Sequence, residues 1–411
     1  MPINKPSIEN VANIKVVGVG GGGNAVLNRM VEAKVKGVEF IAVNTDAQAL
    51  HYSGAANKLH IGQNLTRGLG AGMDPSLGAQ AAQESREDIH EALKGSDMVF
   101  VTAGFGGGSG SGAGPEICEI SKEGGALTVA VVTKPFSFEG QQRMTIAEEA
   151  LAELQDRVDA AVVIPNDRLL QIIDKKTSLV DAFRVVDDVL RQGVQGISDL
   201  ITQHGMVNVD FADIKAIINN AGSALMGIGR ASGDNRAAEA ARAAIESPLL
   251  DVTIDGAKGI VFNLTAGADL KMYEVEEAAR VITEHVDANA KVIFGTVIDP
   301  TQIEEGELKV TVVATGFEKP EAVRKGQQRY SGQVSFNGQV PVVPQSAYQA
   351  PAPVTPNAPA APAPATPAPT STPTPARAPE GSGQDEDLEV PTFIRRKMRE
   401  QKEARDKGTS I

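Results

Sequence analysis

The chain has 411 residues, 42% of them hydrophobic, and a formal net charge of −13 at pH 7. Its length predicts two or three domains with substantial cores, and its acidic balance lacks the basic face that sequence-independent nucleic-acid binding requires, so no nucleic-acid partner is expected. No apolar run approaches the roughly 18 residues that span a bilayer, and the first residues lack a signal-peptide core, so we expect a cytoplasmic protein without direct membrane insertion.

Residues 13–164 alternate short Val- and Ile-rich runs with amphipathic stretches. This rhythm predicts an α/β fold with a mostly parallel sheet that helices cover on both faces. Strands are predicted over residues 14–19, 39–43, 98–102, 127–132 and 160–164. The single cysteine, Cys118, lies in a helix-like run and is expected to be a buried apolar side chain. The five histidines show no metal-ligand spacing, so no metal held by the protein is predicted.

A glycine run closes the first predicted strand and reads GVGGGGN over residues 18–24. Its spacing satisfies G-x-G-x-x-G, and Asp46 follows the second strand at about the distance of a dinucleotide-binding acid. A dinucleotide-binding dehydrogenase therefore remains an alternative at this point. That alternative gives no account of the second glycine-rich segment.

The second segment, GGGSGSG over residues 106–112, lies between the predicted strand at 98–102 and a helix-like run that begins at Pro115. Glycines let the backbone approach a ligand, and free N–H groups at a helix start bind anions, so the segment predicts a phosphate-binding loop. No Gly-Lys-Ser/Thr follows, which excludes the Walker-type loop. A flexible Gly/Ser linker is the alternative, but a position within one α/β pattern favours a ligand site.

A long central helix is predicted over about residues 178–201, and a second, smaller α/β segment runs to about Phe317 with strands over 258–264, 291–298 and 308–314. Between them, Asp210 has the character of a helix N-cap and Asp213 that of a first-turn acid. From local sequence alone this structural role is as strong as a catalytic one.

The composition changes after residue 317, because thirteen of the 23 prolines fall between Pro341 and Pro379. A disordered linker is predicted there. The chain then ends in an acidic stretch, an apolar kernel and a basic cluster, which predict a partner-binding peptide or, equally, a solubilising tail. The candidate partner-binding residues are Leu388, Val390, Pro391, Phe393, Ile394, Arg395, Arg396 and Lys397.

Several segments together resemble the tubulin and FtsZ superfamily of GTPases. The run TAGFGGGSGSG at 102–112 is similar to its GGGTGTG motif with serine at both threonine positions, and NTDAQAL at 44–50 and TRGLGAGMDP at 66–75 also match. The resemblance covers residues 13–317 and returns at 387–397. It implies a nucleotide-binding domain over 13–177, a central helix over 178–203 and a catalytic-loop domain over 204–317, between a flexible N-terminus at 1–12, a linker at 318–384 and a terminal peptide at 385–411.

The resemblance also implies roles for individual residues. The implied phosphate-binding residues are Gly20, Gly21, Gly22, Gly23, Asn24, Ala71, Gly72, Gly106, Gly107, Gly108, Ser109, Gly110, Ser111 and Gly112. In the family one further residue separates the glycines from Asn-Ala-Val, whereas here Asn24 follows them directly, so its contact is expected to be displaced or lost. The implied ribose and base contacts are Glu139, Arg143, Asn166, Phe183 and Asp187.

The spacing of these last residues suits their implied roles. Glu139 and Arg143, four apart, would share a helix face, although a surface ion pair is the plainer interpretation. Phe183 and Asp187 are also four apart, so a ring could stack on a purine while a carboxylate accepts from two donors. Guanine offers such a donor pair and adenine does not, which would select GTP over ATP.

In this family the acids Asp210 and Asp213, with Asn208, would enter the nucleotide pocket of the next subunit and complete hydrolysis in trans. The implied protein binds GTP and GDP with Mg²⁺ carried by the nucleotide, and polymerises head to tail into filaments of the bacterial division ring at mid-cell. Its terminal peptide would bind a membrane adaptor of the FtsA, ZipA or SepF kind. A scaffold that binds GTP without turnover is the alternative that the two acids argue against.

Overall fold

A computed structural model describes residues 12–170, 176–202, 205–207, 209–247, 253–298 and 303–317. All of them belong to one compact unit, residues 1–329, and the second unit, residues 330–411, lies outside the described residues. The predictions for residues 1–11, for the linker, for the terminal peptide and for Asn208 also fall outside them.

The described residues contain ten strands in a single sheet. They are β1 (Ile14–Val19), β2 (Val38–Asn44), β3 (Asn57–His60), β4 (Met98–Gly104), β5 (Leu127–Lys134), β6 (Ala160–Pro165), β7 (Gly222–Ser232), β8 (Gly259–Ala266), β9 (Lys291–Ile298) and β10 (Glu307–Thr315). Their order is β3-β2-β1-β4-β5-β6-β7-β10-β8-β9, and only β10 runs antiparallel to its neighbours within this part of the chain. The predicted mostly parallel α/β sheet is confirmed.

Twelve α-helices lie in the same ranges. They are α1 (Gly20–Glu32), α2 (Ala47–His51), α3 (Gln63–Thr66), α4 (Pro75–Glu84), α5 (Arg86–Leu93), α6 (Gly108–Glu123), α7 (Gln141–Gln155), α8 (Asn166–Leu169), α9 (Leu179–Thr202), α10 (Phe211–Ile218), α11 (Arg236–Ile245) and α12 (Met272–Thr283). A 3-10 turn, Ser137–Glu139, precedes α7. No helix among the described residues combines the length and apolarity needed to cross a membrane.

Successive side chains of the central strands pack alternately into two hydrophobic cores, one on each face of the sheet. Val16 and Phe100 face one core, while Val17 and Val101 face the other. Because successive strand residues point to opposite faces, a strand buried on both sides must be apolar throughout, which explains the continuous Val and Ile runs. A third core lies under α11 and α12 in the C-terminal half. Cys118 is buried, as expected, and burial raises the pKa of its thiol.

The predicted central helix is confirmed as α9, a helix of 24 residues. Its apolar stripe, including Val186, Val194 and Ile197, belongs to the same core as Met226 of β7 and Val313 of β10. This helix therefore packs on both halves of the sheet. The halves themselves join through a short parallel pairing in which Ala160 of β6 lies opposite Gly222 of β7.

One sequence expectation about a helix start is wrong. The helix after the second glycine-rich segment was expected from Pro115, but α6 begins at Gly108, so Pro115 lies inside it. The reason is close packing against the first turns of α4: a Cβ built on Gly112 would lie 2.0 Å from the carbonyl oxygen of Pro75. Glycine is required here by contact with another segment, which overrides its low helix propensity.

The close approach of Gly112 to Pro75 can be tested by comparing two glycines of α6. Replacing Gly112 by Ala forces its Cβ into the Pro75 carbonyl, and overpacking of this kind destabilises a fold by about 1–3 kcal/mol. Gly114→Ala is the matched control, because its nearest neighbour would be at an ordinary 3.5 Å and alanine favours a helix. Urea unfolding should show a loss of stability for the first variant and none for the second; equal stabilities would contradict the packing argument.

Candidate functional site

A cleft of about 350 Å³ opens at the carboxyl ends of β1, β4, β5 and β6, beside the first turns of α9. In open parallel sheets this edge is where ligands bind. The lining residues are Gly21, Gly22, Val26, Gly72, Gly104, Phe105, Gly107, Gly108, Ser109, Gly110, Thr133, Pro135, Glu139, Arg143, Asn166, Phe183, Val186, Asp187 and Leu190.

Two glycine-rich helix starts lie side by side in the cleft. Strands β1 and β4 are parallel neighbours, so α1 and α6, which follow them, begin next to each other. A Cβ on Gly22 would lie 3.2 Å from the Gly104 backbone, whereas Gly21 and Gly107 face open space. The first amides of each helix lack partners within the helix, and the two dipoles add, so this end of the cleft favours an anion.

The loop that precedes α4 closes onto the start of α6. The Gly108 amide donates to the Gly72 carbonyl at 2.8 Å, and the Gly106 amide donates to the Ser111 hydroxyl at 2.8 Å. Gly106 has a φ of +101°, a left-handed conformation that glycine adopts without strain. Ser111 thus serves the shape of the turn, while Ser109 lines the cleft.

The other end of the cleft is built by the turn before α7 and by α8. Glu139 and Arg143 form an ion pair at 2.7 Å, and Glu139 also accepts the Phe136 amide at 3.0 Å. Asn166 is buried, and its side-chain oxygen has no hydrogen-bond partner among the described residues. An orphaned buried amide oxygen in a cleft is a group that a ligand donor would satisfy.

Three aromatic rings pack against one another at this end of the cleft. Phe136 is fully buried, Phe138 stacks on it with centroids 4.9 Å apart, and Phe183 meets it edge-on at 5.5 Å. Phe183 is 41% exposed although it is large and apolar. A ring fixed at one edge and open on the cleft side can stack on a planar ligand.

Asp187 lies one helical turn after Phe183 and has a raised pKa. Partial burial raises the pKa of Asp187 to about 6, with the Arg29 charge lowering it and the neighbouring Asp188 raising it. A carboxylate without a fixed partner here costs free energy when it ionises, and a ligand that offers two N–H donors would offset that cost.

The structure brings twelve of the nineteen predicted phosphate, ribose and base residues to the cleft wall. The predicted residues that do not line it are Gly20, Gly23, Asn24, Ala71, Gly106, Ser111 and Gly112. Gly20 and Gly106 have left-handed φ angles where the chain turns, whereas Gly23 and Gly112 allow close packing of α1 and α6. Asn24 is buried with both amide atoms unpartnered among the described residues.

Sequence reasoning missed seven wall residues, which are Val26, Gly104, Phe105, Thr133, Pro135, Val186 and Leu190. Val186 and Leu190 follow Phe183 at helical spacings of three and seven, a signal that was available. Thr133 and Pro135 flank the carboxyl end of β5, and only the sheet order reveals that this strand borders the cleft.

Asp210 and Asp213 lie elsewhere in the molecule. Asp210 is the N-cap residue of α10, and Asp213 lies in the first turn; both are exposed. The preceding helix, α9, ends at Thr202 against Gly37, just before the amino end of β2. The following turn returns to the amino end of β6, where the Gly222 amide donates to the Asp159 carbonyl. The acids therefore lie at the opposite edge of the sheet from the cleft.

A parallel sheet with two glycine-rich helix starts at its ligand edge, and an aromatic ring beside a carboxylate, define a nucleotide-binding α/β protein. Comparison with known proteins specifies the class. Residues 13–174 match the Tubulin/FtsZ family, GTPase domain, and residues 222–318 match the FtsZ family, C-terminal domain.

Solved structures agree with these matches. An FtsZ dimer from M. jannaschii is 46% identical, with a TM-score of 0.72, and the alignment covers 75% of this chain and 89% of that one. CetZ2 from Haloferax volcanii is 21% identical with a TM-score of 0.65, over 75% of this chain and 94% of that one, a likeness that supports the fold alone. The chain belongs to the FtsZ family, and it is a GTPase that binds guanine nucleotide.

The pKa of Asp187 makes base binding sensitive to pH if this carboxylate accepts from guanine. Because its pKa is about 6, the side chain is ionised above that pH and protonated below it, and only the ionised form accepts two donors. Guanosine has no phosphate to titrate, and its affinity should fall about tenfold between pH 7.5 and pH 5. Competition against a fluorescent GTP analogue measures this.

Two variants control the experiment. Asp187→Asn should bind guanosine weakly and without pH dependence. Partial burial opposes ionisation of Asp188, but hydrogen bonds from Arg191 and Gln192 hold its pKa below the usual range. Because its charge contributes to the raised pKa of Asp187, Asp188→Asn should keep the loss of guanosine affinity but move it to lower pH. A flat wild-type profile would show that Asp187 does not contact the base.

Proposed function

We propose that this GTPase polymerises head to tail into filaments of the bacterial division ring, and that each joint between subunits completes one site for GTP hydrolysis. The FtsZ of M. jannaschii, 46% identical, has been solved as a dimer, and CetZ2, which shares the fold, as a GTPγS-bound protofilament. A head-to-tail contact uses two different surfaces and does not close, so it propagates.

The observation that carries the proposal is the separation of the cleft from the two acids. Phe183 and Asp187 lie in the first turns of α9, and Asp210 and Asp213 follow its last turn. A helix of 24 residues spans about 36 Å, so a nucleotide in the cleft is out of reach of the acids of its own subunit. In a head-to-tail filament the acid edge of one subunit meets the cleft edge of the next.

Within the cleft we place the phosphates over the paired helix starts, against Gly21, Gly22, Gly107, Gly108, Ser109 and Gly110. The ribose lies toward Glu139, Arg143 orients a phosphate, Asn166 and Asp187 accept base donors, and Phe183 stacks on the purine. This arrangement matches the positive end of the cleft to the triphosphate and the orphaned acceptors to guanine.

No group of three or more His, Cys, Asp or Glu side chains within the described ranges could hold a metal ion. We therefore assign Mg²⁺ to the phosphate oxygens of the nucleotide, where it would supply neutralisation of their charge. The protein's own contribution is to hold the triphosphate and to bring two carboxylates from the neighbour to the attacking water.

The state of the two acids suits that role. Both are exposed, and neither side chain makes a hydrogen bond or ion pair with the described residues. Free carboxylates at a helix start can accept the protons of a water and orient it in line with a phosphate, which is a positioning contribution to phosphoryl transfer. Asn208, expected beside them, lies outside the described residues.

The terminal peptide remains a proposal from the sequence. We propose that it tethers cytoplasmic filaments at mid-cell to a membrane adaptor of the FtsA, ZipA or SepF kind. Its apolar kernel, Val390, Pro391, Phe393 and Ile394, would supply the affinity, with Leu388 on its acidic side. Arg395, Arg396 and Lys397 would orient it on an acidic groove or anionic lipid.

Removal of either acid tests hydrolysis in trans. Asp210→Ala or Asp213→Ala should bind GTP as tightly as wild type yet lose at least about 100-fold in turnover, because the acids serve the neighbour's nucleotide. Wild-type turnover per subunit should rise steeply with protein concentration. Addition of either variant to wild-type protein should lower the turnover per wild-type subunit. A phosphate-release assay measures both effects.

A matched acid controls for charge. Asp88 is likewise exposed in the first turn of a helix, α5, and Asp88→Ala should leave turnover unchanged. If the Asp210 and Asp213 variants lose GTP affinity, the acids act within their own subunit and the trans proposal fails. A specific activity independent of concentration would count equally against it.

Deletion of residues 385–411 tests the tether. Solution turnover and filament formation should stay unchanged, because the cleft and the acids lie within the folded unit, whereas capture of filaments by an adaptor-coated vesicle should be abolished. A linker deletion of equal length that keeps the peptide should retain capture. Loss of assembly on deletion, or retained capture, would show that the peptide is not the tether.

A further inference from the structure

A fully buried threonine stands directly behind the serine of the cleft. Thr45 follows β2 immediately and has no exposed surface. Its hydroxyl lies 2.6 Å from the Ser109 hydroxyl, and either oxygen could be the donor. Ser109 is partly exposed and lines the cleft. The two hydroxyls thus form a short chain that leads from the interior to the ligand side.

The position of Thr45 is fixed through its main chain. Its carbonyl accepts the Thr66 hydroxyl at 3.1 Å and the Gly70 amide at 3.3 Å, both from the segment that leads into the loop before α4. The Thr66 hydroxyl also contacts the Gly62 carbonyl at 3.1 Å. The backbone of Thr45 is therefore held by the segment that contains Thr66 and Gly70, while its side chain contacts Ser109 at the start of α6.

The direction of the hydrogen bond between the two hydroxyls matters for a ligand. Ser109 has one hydroxyl proton, and if it donates that proton to Thr45 it can offer only lone pairs to the cleft, which repel an anion. If Thr45 donates instead, the Ser109 proton is free for the ligand. Ser109 is the only partner of the Thr45 hydroxyl within the described part of the chain.

We propose that Thr45 is a positioning residue for nucleotide binding: it donates its hydroxyl proton to Ser109 Oγ and so directs the Ser109 proton to a phosphate oxygen. The chain of two hydrogen bonds is cooperative, because an oxygen that accepts becomes a better donor. Thr45 never touches the nucleotide. The inference rests on the proposed placement of the phosphates against Ser109.

Two substitutions at Thr45 separate this role from packing. Thr45→Val keeps the shape and removes the hydroxyl, and Thr45→Ser keeps the hydroxyl and removes a methyl group. The proposal expects Val to weaken GDP and GTP binding about fivefold to tenfold, the effect of one hydrogen bond, and Ser to bind as wild type does. A packing role would reverse this order. Competition against a fluorescent GTP analogue, on the nucleotide-free full chain, gives the affinities.

Thr102 provides a matched control. It is also fully buried, on the neighbouring strand β4, but its hydroxyl has no hydrogen-bond partner among the described residues. Thr102→Val should leave GDP and GTP affinity unchanged. Guanosine, which has no phosphate, should bind all the variants equally, and this readout separates a phosphate effect from general damage to the cleft.

A double-mutant cycle with Ser109→Ala completes the test. Ser109→Ala should weaken nucleotide binding by itself, and Thr45→Val should add nothing in that background, because its effect passes through Ser109. Additive losses, a neutral Thr45→Val, or equal losses in Thr45→Val and Thr45→Ser would overturn the inference alone. A neutral Ser109→Ala would overturn the placement of the phosphates, and the inference with it.

Discussion

The site depends on a close approach between backbone segments that leaves no room for a side chain. A Cβ on Gly110 would lie 2.4 Å from the carbonyl oxygen of Gly104, and one on Gly22 would lie 3.2 Å from the Gly104 backbone. These contacts allow α1 and α6 to begin side by side at the ends of two neighbouring strands. The positive ends of two helix dipoles then lie side by side, which favours an anion at this end of the cleft.

The two ends of the cleft solve opposite electrostatic problems. At the glycine end, the backbone supplies fixed positive dipoles that need no charged side chain and do not titrate. At the far end, Asp187 carries a negative charge that partial burial makes costly, as its raised pKa of about 6 records. A ligand with an anionic group at one end and hydrogen-bond donors at the other would neutralise the helix dipoles and stabilise the ionised form of Asp187. The cleft is thus polarised along its length, in keeping with the orientation proposed for the guanine nucleotide.

The sequence predicts strand runs and motif residues well, because buried parallel strands are apolar throughout and glycine clusters are distinctive. It fails where contact with another element decides the structure. Strand β7 was not predicted, because Gly227 and Gly229 break its pattern; a Cβ on either would lie within about 2 Å of a carbonyl of α11. The short edge strand β3 has a polar sequence. Thr45 lies in the matched run at 44–50, but its proposed role has no local signature, since it depends on a partner 64 residues away.

The helix α9 is the structural reason why we propose an active site divided between two subunits. Because it packs on both halves of the sheet, it acts as a rigid spacer between the cleft at its first turns and the acids beyond its last. On this proposal a single subunit would hold GTP without the two carboxylates that orient the attacking water, so the nucleotide would be bound but hydrolysed slowly. Hydrolysis would then be a consequence of the proposed assembly, because each joint between subunits would complete one site.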